Sequence, residues 1–160
     1  MQKFSIEIKW ALILTALSIL WSLGEKQFGL HDEKISKHML YNILFTLVAF
    51  PVYVLALRDK KANFFNNEMT WAQGFVSGAI VSVIVAIFSP AVSLITYTII
   101  SPEYFSKAVE SAVAKGAPLA NAEMYFNIES YMLQNAFTAL SMGLVMSSII
   151  SLFTKTDKTN

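Results

Sequence analysis

Residues 69–102 form a run of 34 positions without one charged side chain, bounded by Glu68 and Glu103. A helix of about 20 apolar residues crosses a roughly 30 Å hydrocarbon core, so this run spans a bilayer with length to spare. Inside lipid the backbone must satisfy its own polar groups, and a long unbroken apolar run does so as a helix. The run therefore predicts an all-α membrane protein, with the lipid bilayer as its first partner.

Composition agrees: 55% of the 160 residues are hydrophobic and 14% charged, where an average soluble domain carries roughly 25% charged. A net charge of +1 gives no electrostatic attraction to the phosphate backbone, and no nucleic acid is expected as a partner. The absence of cysteine excludes disulfides, thiolate metal sites and cysteine nucleophiles.

Three more runs of spanning length accompany the first. Residues 6–23 carry Trp10 and Trp21 as interface anchors and Lys9 in a position to snorkel. Lys3, a short apolar stretch and the small-x-small Ser22-Leu23-Gly24 also fit a cleaved signal peptide, but Glu7 and Trp21 oppose that, so a retained span is expected. Residues 39–57 stop at Arg58-Asp59-Lys60-Lys61, and Pro51 within them frees the carbonyl of Leu47 and predicts a kink. In the third span, residues 71–100, Thr70-x-x-Gln73 is a capping box. Its first 19 residues rise about 28 Å, which puts a kink at Pro90 near the far interface. Residues 130–154 form the fourth span, with Asn127 or Ser130 as cap, Glu129 in the positive first turn, and Lys155 and Lys158 closing it.

Between spans three and four, Ser101 reads as an N-cap with Pro102 at the first helical position. Phe105, Ala108, Val109, Ala112 and Val113 then recur on one helical face, and Gly116-Ala117-Pro118 ends the helix before a short turn at 121–126. The prediction is one membrane domain over 1–160, a four-span helical bundle with a short extramembrane helical cap at about 102–126. Seven of the twelve Lys and Arg residues fall on the side that holds both termini, chiefly through the 58–61 cluster. This bias predicts cytoplasmic termini.

Small residues repeat every four positions on span three at Gly74, Gly78, Ser82 and Ala86, and on span four at Ala139, Gly143, Ser147 and Ser151. Such stripes let two backbones approach closely, and two stripes in consecutive spans most simply close on each other within one subunit. The alternative use is a homo-oligomer or a contact with other membrane proteins.

Sites of chemistry are sparse. His31 and His38, with Glu25, Asp32 and Glu33 nearby, lie in the loop between spans one and two. Imidazole and carboxylate ligate divalent metals, but a seven-residue separation is no recognised ligand spacing. The loop reads as interfacial polar residues, pH-sensitive through the histidines, and neither metal nor cofactor is expected. Asn42, Gln134 and Asn135 are the polar side chains nearest to membrane depth, and every ionisable residue falls at a span's edge or outside it. That pattern opposes proton-coupled transport and intramembrane catalysis, so no catalytic residue is assigned.

The segments Phe4-Ser-Ile-Glu-Ile-Lys-Trp10, Gly29-Leu-His-Asp32, Tyr53-Val-Leu-Ala-Leu-Arg-Asp59, Met69-Thr-Trp-Ala-Gln-Gly-Phe75, Ile100-Ser-Pro-Glu-Tyr-Phe105 and Tyr125-Phe-Asn127 occur in this order along the chain. Together they resemble a bacterial membrane family known as domain of unknown function 4199. The resemblance implies a four-helix inner-membrane protein that retains its first span, and it supplies no catalytic residue. Surfaces built for helix packing and an interior that lacks functional charges predict a non-enzymatic accessory or assembly component of the inner membrane. A small transporter or channel subunit is the alternative, which would need Asn42, Gln73, Gln134 and Asn135 to line one polar path.

Overall fold

The computed structural model describes residues 3–156, and Lys158, expected to close the last span, lies outside them. Among the described residues, four helical segments are long and apolar enough to cross a membrane: Ser5–Gln27, Ile35–Asn63, Trp71–Ile100 and Ile128–Thr154. The first is helix α1, Ser5–Gln27. The second begins as a 3-10 turn, Ile35–Lys37, and the short helix α2, His38–Asn42, before settling into α3, Phe45–Asn63. The third is α4, Trp71–Leu94, which widens into a π-helical segment, Ile95–Ile100. Helices α5, Tyr104–Ala114, and α6, Leu119–Tyr125, lead into α7, Ile128–Thr154. The protein is a multi-pass, all-helical membrane protein.

Pro51 and Pro90 both lie inside continuous helices. Leu12, Leu47, Ile87, Phe137 and Phe153 point away from the bundle and are well exposed on it. Water would penalise so large an apolar surface, whereas lipid tails accept it.

The core runs along the middle of the bundle through Ala11, Leu14, Val52, Tyr53, Leu57, Val81, Met146 and Ile150. Beside it, α4 and α7 form the most intimate pair. A Cβ placed on Gly74 would lie 2.8 Å from Ser151 Oγ, one on Gly78 2.6 Å from Ser147 Cβ, and one on Gly143 2.7 Å from Ser82 Cβ. Six of the eight predicted small residues thus meet in antiparallel register. Ala86 and Ala139 are half-buried on the same two helices.

Both ends of the described chain lie at one end of the bundle. Thr156 N donates to Met69 O at 2.7 Å, and Lys60 Nζ donates to Lys3 O at 2.8 Å. The predicted capping box is present in full: Thr70 Oγ1 accepts from Gln73 N while Gln73 Oε1 accepts from Thr70 N. Asn127 caps α7 by accepting from Ser130 N at 2.9 Å.

Two sequence expectations need correction. Ser101 does not cap a helix starting at Pro102: α5 starts at Tyr104, Pro102 and Glu103 form a turn, and the Ser101 hydroxyl is taken by His31. Span one runs four residues past Leu23, because the extra helical turn carries Glu25 into a buried polar cluster.

Candidate polar centre at the loop end of the bundle

The cluster begins with a local turn. Helix α1 ends in a Schellman arrangement in which Leu30 N donates to Glu25 O and Gly29 N donates to Lys26 O, both at 2.9 Å. Gly29 takes φ +75°, a left-handed conformation that costs glycine nothing. This reversal buries Leu30 and lays His31 back over Glu25, one helical turn below it. The following 3-10 turn then brings His38 to the same spot.

Glu25, His31 and His38 are 5%, 2% and 6% exposed. Their donor atoms all lie within 4.8 Å of one another. His31 Nε2 stands 3.6 Å, and His38 Nε2 3.5 Å, from the same oxygen, Glu25 Oε2. Both gaps exceed a normal N–H···O hydrogen bond of about 2.7–3.2 Å. The other ring nitrogens are engaged: His31 Nδ1 lies 2.7 Å from Ser101 Oγ, and His38 Nδ1 lies 2.8 Å from Tyr104 OH. Glu25 Oε1, His31 Nε2 and Trp21 Nε1 are buried with no hydrogen-bond partner among the described residues.

An aromatic wall surrounds the three. Tyr104 and His38 meet edge to face, as do Tyr104 and His31, and Tyr97, Phe105 and Tyr131 pack behind them in tilted and edge-to-face contacts. Tyr104 also contacts Tyr131 OH at 3.2 Å, and burial pushes its phenol well above the usual range, so it stays protonated. On the outer side a cavity of about 280 Å³ opens beside His31, lined by Lys26, Asp32, Ser101, Glu103 and Tyr104. Lys107 bridges Asp32 and Glu103 at its rim and holds the Asp32 carboxyl below the usual carboxylate range.

The second buried ionic group occupies the opposite end and is fully satisfied. Glu7 Oε1 lies 2.8 Å from Lys60 Nζ and accepts from Ser77 Oγ at 2.9 Å, while the Lys60 ammonium sits 3.7 Å from the Phe64 ring centroid. Next to it Lys9 pairs with Asp59, which also accepts from Trp10 Nε1 at 2.7 Å. These contacts join α1, α3 and α4 and pair each carboxylate with a lysine, which is the signature of a structural lock.

The amides weighed as pore residues are scattered. Gln73 is spent in the capping box, Asn42 is exposed, Gln134 is half-buried, and Asn135 Nδ2 donates to Ser93 Oγ at 3.0 Å. Sequence reasoning grouped Glu25, His31 and His38 as loop neighbours, but it missed Ser101, Tyr104 and Tyr131, whose approach depends on α4, α5 and α7.

The profile of a family described as Protein of unknown function (DUF4199) matches residues 9–156, nearly the whole chain. The chain belongs to DUF4199. No curated protein and no solved structure matches it. In this DUF4199 protein Glu25 comes from the last turn of α1, His31 from the reversal after it and His38 from the start of α2.

Proposed function

We propose that this DUF4199 protein is a non-enzymatic accessory or assembly component of a bacterial inner membrane. In this reading both termini are cytoplasmic, and α5 and α6 form a cap on the periplasmic side. The observation that carries it is the scatter of the four amides: Gln73, Asn42, Gln134 and Asn135 take up unrelated positions instead of sharing a path. A small transporter or channel subunit would need such a path. The polar groups at membrane depth instead hold helices together, as Asn135 with Ser93 and Tyr53 with Ser82 do.

Crosslinking in native membranes tests the accessory role. A photo-crosslinker at Ile87 or Phe137, both on the lipid-facing surface, should give an adduct with a second polypeptide. Recovery of uncrosslinked monomer alone would overturn the reading. Reporter fusions at Asn160 and Gly116 should report opposite sides of the membrane. Ser101, His31 and Glu25 stand in the order of an acyl-transfer triad, but the 3.6 Å between imidazole and carboxylate is too long for the orienting hydrogen bond. Ser101 should therefore resist a fluorophosphonate probe, and its labelling would refute the non-enzymatic assignment.

A further inference from the structure

Glu25 presents one oxygen, Oε2, to two imidazole nitrogens at nearly equal distances of 3.5 and 3.6 Å. Two donors bound at about 2.0–2.1 Å to a tetrahedral zinc ion lie about 3.3 Å apart. The observed gaps are thus too long for hydrogen bonds and close to the edge of a coordination tetrahedron. We propose that Glu25, His31 and His38 form a binding site for a divalent transition metal of the zinc type, distinct from the accessory role and independent of it.

Four observations converge on this site. The donor set is two imidazoles and one carboxylate, which suits zinc and its neighbours and not magnesium or calcium, ions that take oxygen ligands. Each histidine is oriented through its second nitrogen, His31 by Ser101 and His38 by Tyr104. Such hydroxyl partners can accept a hydrogen bond from Nδ1–H, which leaves Nε2 as a free lone pair, as metal-ligating histidines require. Tyr104 can accept from His38 Nδ1 while donating to Tyr131, so the chain of hydrogen bonds closes without a proton on Nε2. In that tautomer the His31 and His38 lone pairs and the Glu25 carboxylate would face one another in a buried space, an arrangement that a cation relieves.

The same geometry explains why His31 Nε2 has no hydrogen-bond partner among the described residues. Buried polar atoms left unpaired cost stability unless something binds them. Three protein ligands leave a further coordination position for water, and a cavity of about 280 Å³ lies against the outer side of His31.

The test uses the full chain, purified in detergent with a tag that lacks histidine and stripped with a chelator. Titration with zinc should give one ion per chain by elemental analysis after buffer exchange. Titration with cobalt(II) should give the visible absorption of a low-coordinate nitrogen and oxygen site, displaced by zinc. Glu25→Gln and His38→Ala should each weaken binding at least tenfold, and Tyr104→Phe, which keeps all three ligands, by about 10-fold or more through its outer hydrogen bond. Zinc should also raise the melting temperature of the wild-type chain and leave that of His31→Ala/His38→Ala unmoved. Failure of the wild-type chain to bind zinc or cobalt(II) stoichiometrically would overturn the proposal, whatever the variants do. So would unchanged affinity in folded Glu25→Gln and His38→Ala, which would place the ion elsewhere.

Discussion

Gly78 meets Ser147 so closely that a Cβ on the glycine would lie 2.6 Å from Ser147 Cβ and 3.3 Å from Ser147 Cα. The second distance is to backbone, so the obstruction cannot be relieved by turning a side chain. Gly78→Leu should force α4 and α7 apart, at a cost in the upper part of the roughly 1–3 kcal/mol range for overpacking or beyond it. Thermal unfolding in detergent measures this, and an unchanged midpoint would show that the seam yields freely.

Ser82 donates its one hydroxyl proton to Gly78 O at 2.8 Å, so at the Tyr53–Ser82 contact, also 2.8 Å, the tyrosine is the donor. Removing each partner should then have unequal effects. Tyr53→Phe loses one hydrogen bond, about 0.5–1.5 kcal/mol, whereas Ser82→Ala strands a buried phenol and should cost about 1–3 kcal/mol. Equal losses in the same unfolding assay would reverse the donor assignment.

Glu7 and Lys60 are both almost completely buried, so deleting either charge leaves the other unpaired. Glu7→Gln or Lys60→Met alone should destabilise the bundle by about 3–5 kcal/mol, and the double substitution should recover much of that loss. A double-mutant cycle that proves additive would show the two groups to be energetically independent.

Thr70 and Gln73 satisfy each other's backbone N–H at the start of α4. Thr70→Ala should cost about 1 kcal/mol and Thr70→Ser very little. Hydrogen exchange should locate the effect in the first turn of α4, and a change spread over the whole chain would contradict a local cap.

The features legible in the sequence were those written in local pattern. Hydropathy located the four spans, the Thr70-x-x-Gln73 spacing named its own hydrogen bonds, and the period of four marked the residues where α4 meets α7. The polar centre was not legible in the same way. His31 and His38 have no helical spacing that brings them together; a glycine reversal and a 3-10 turn do so. Their outer partners come from residues 70 and 66 positions away in the chain. Ser101 was misread for the same reason, since Ser-Pro-Glu is a sound local start signal and only the tertiary approach of His31 redirects its hydroxyl.

The π-helical segment Ile95–Ile100 immediately precedes Ser101, whose N–H reaches back five residues to Thr96 O at 2.7 Å. A π turn amounts to one residue inserted into an α-helix, and each α-helical residue advances the azimuth by about 100°. The segment therefore works as a phase adjuster between the lipid-spanning part of α4 and the turn that leads into α5. Deleting one residue there, Ile99 for example, should turn the π segment into ordinary α-helix and leave both Ser101 beside His31 and the membrane-spanning length almost unchanged.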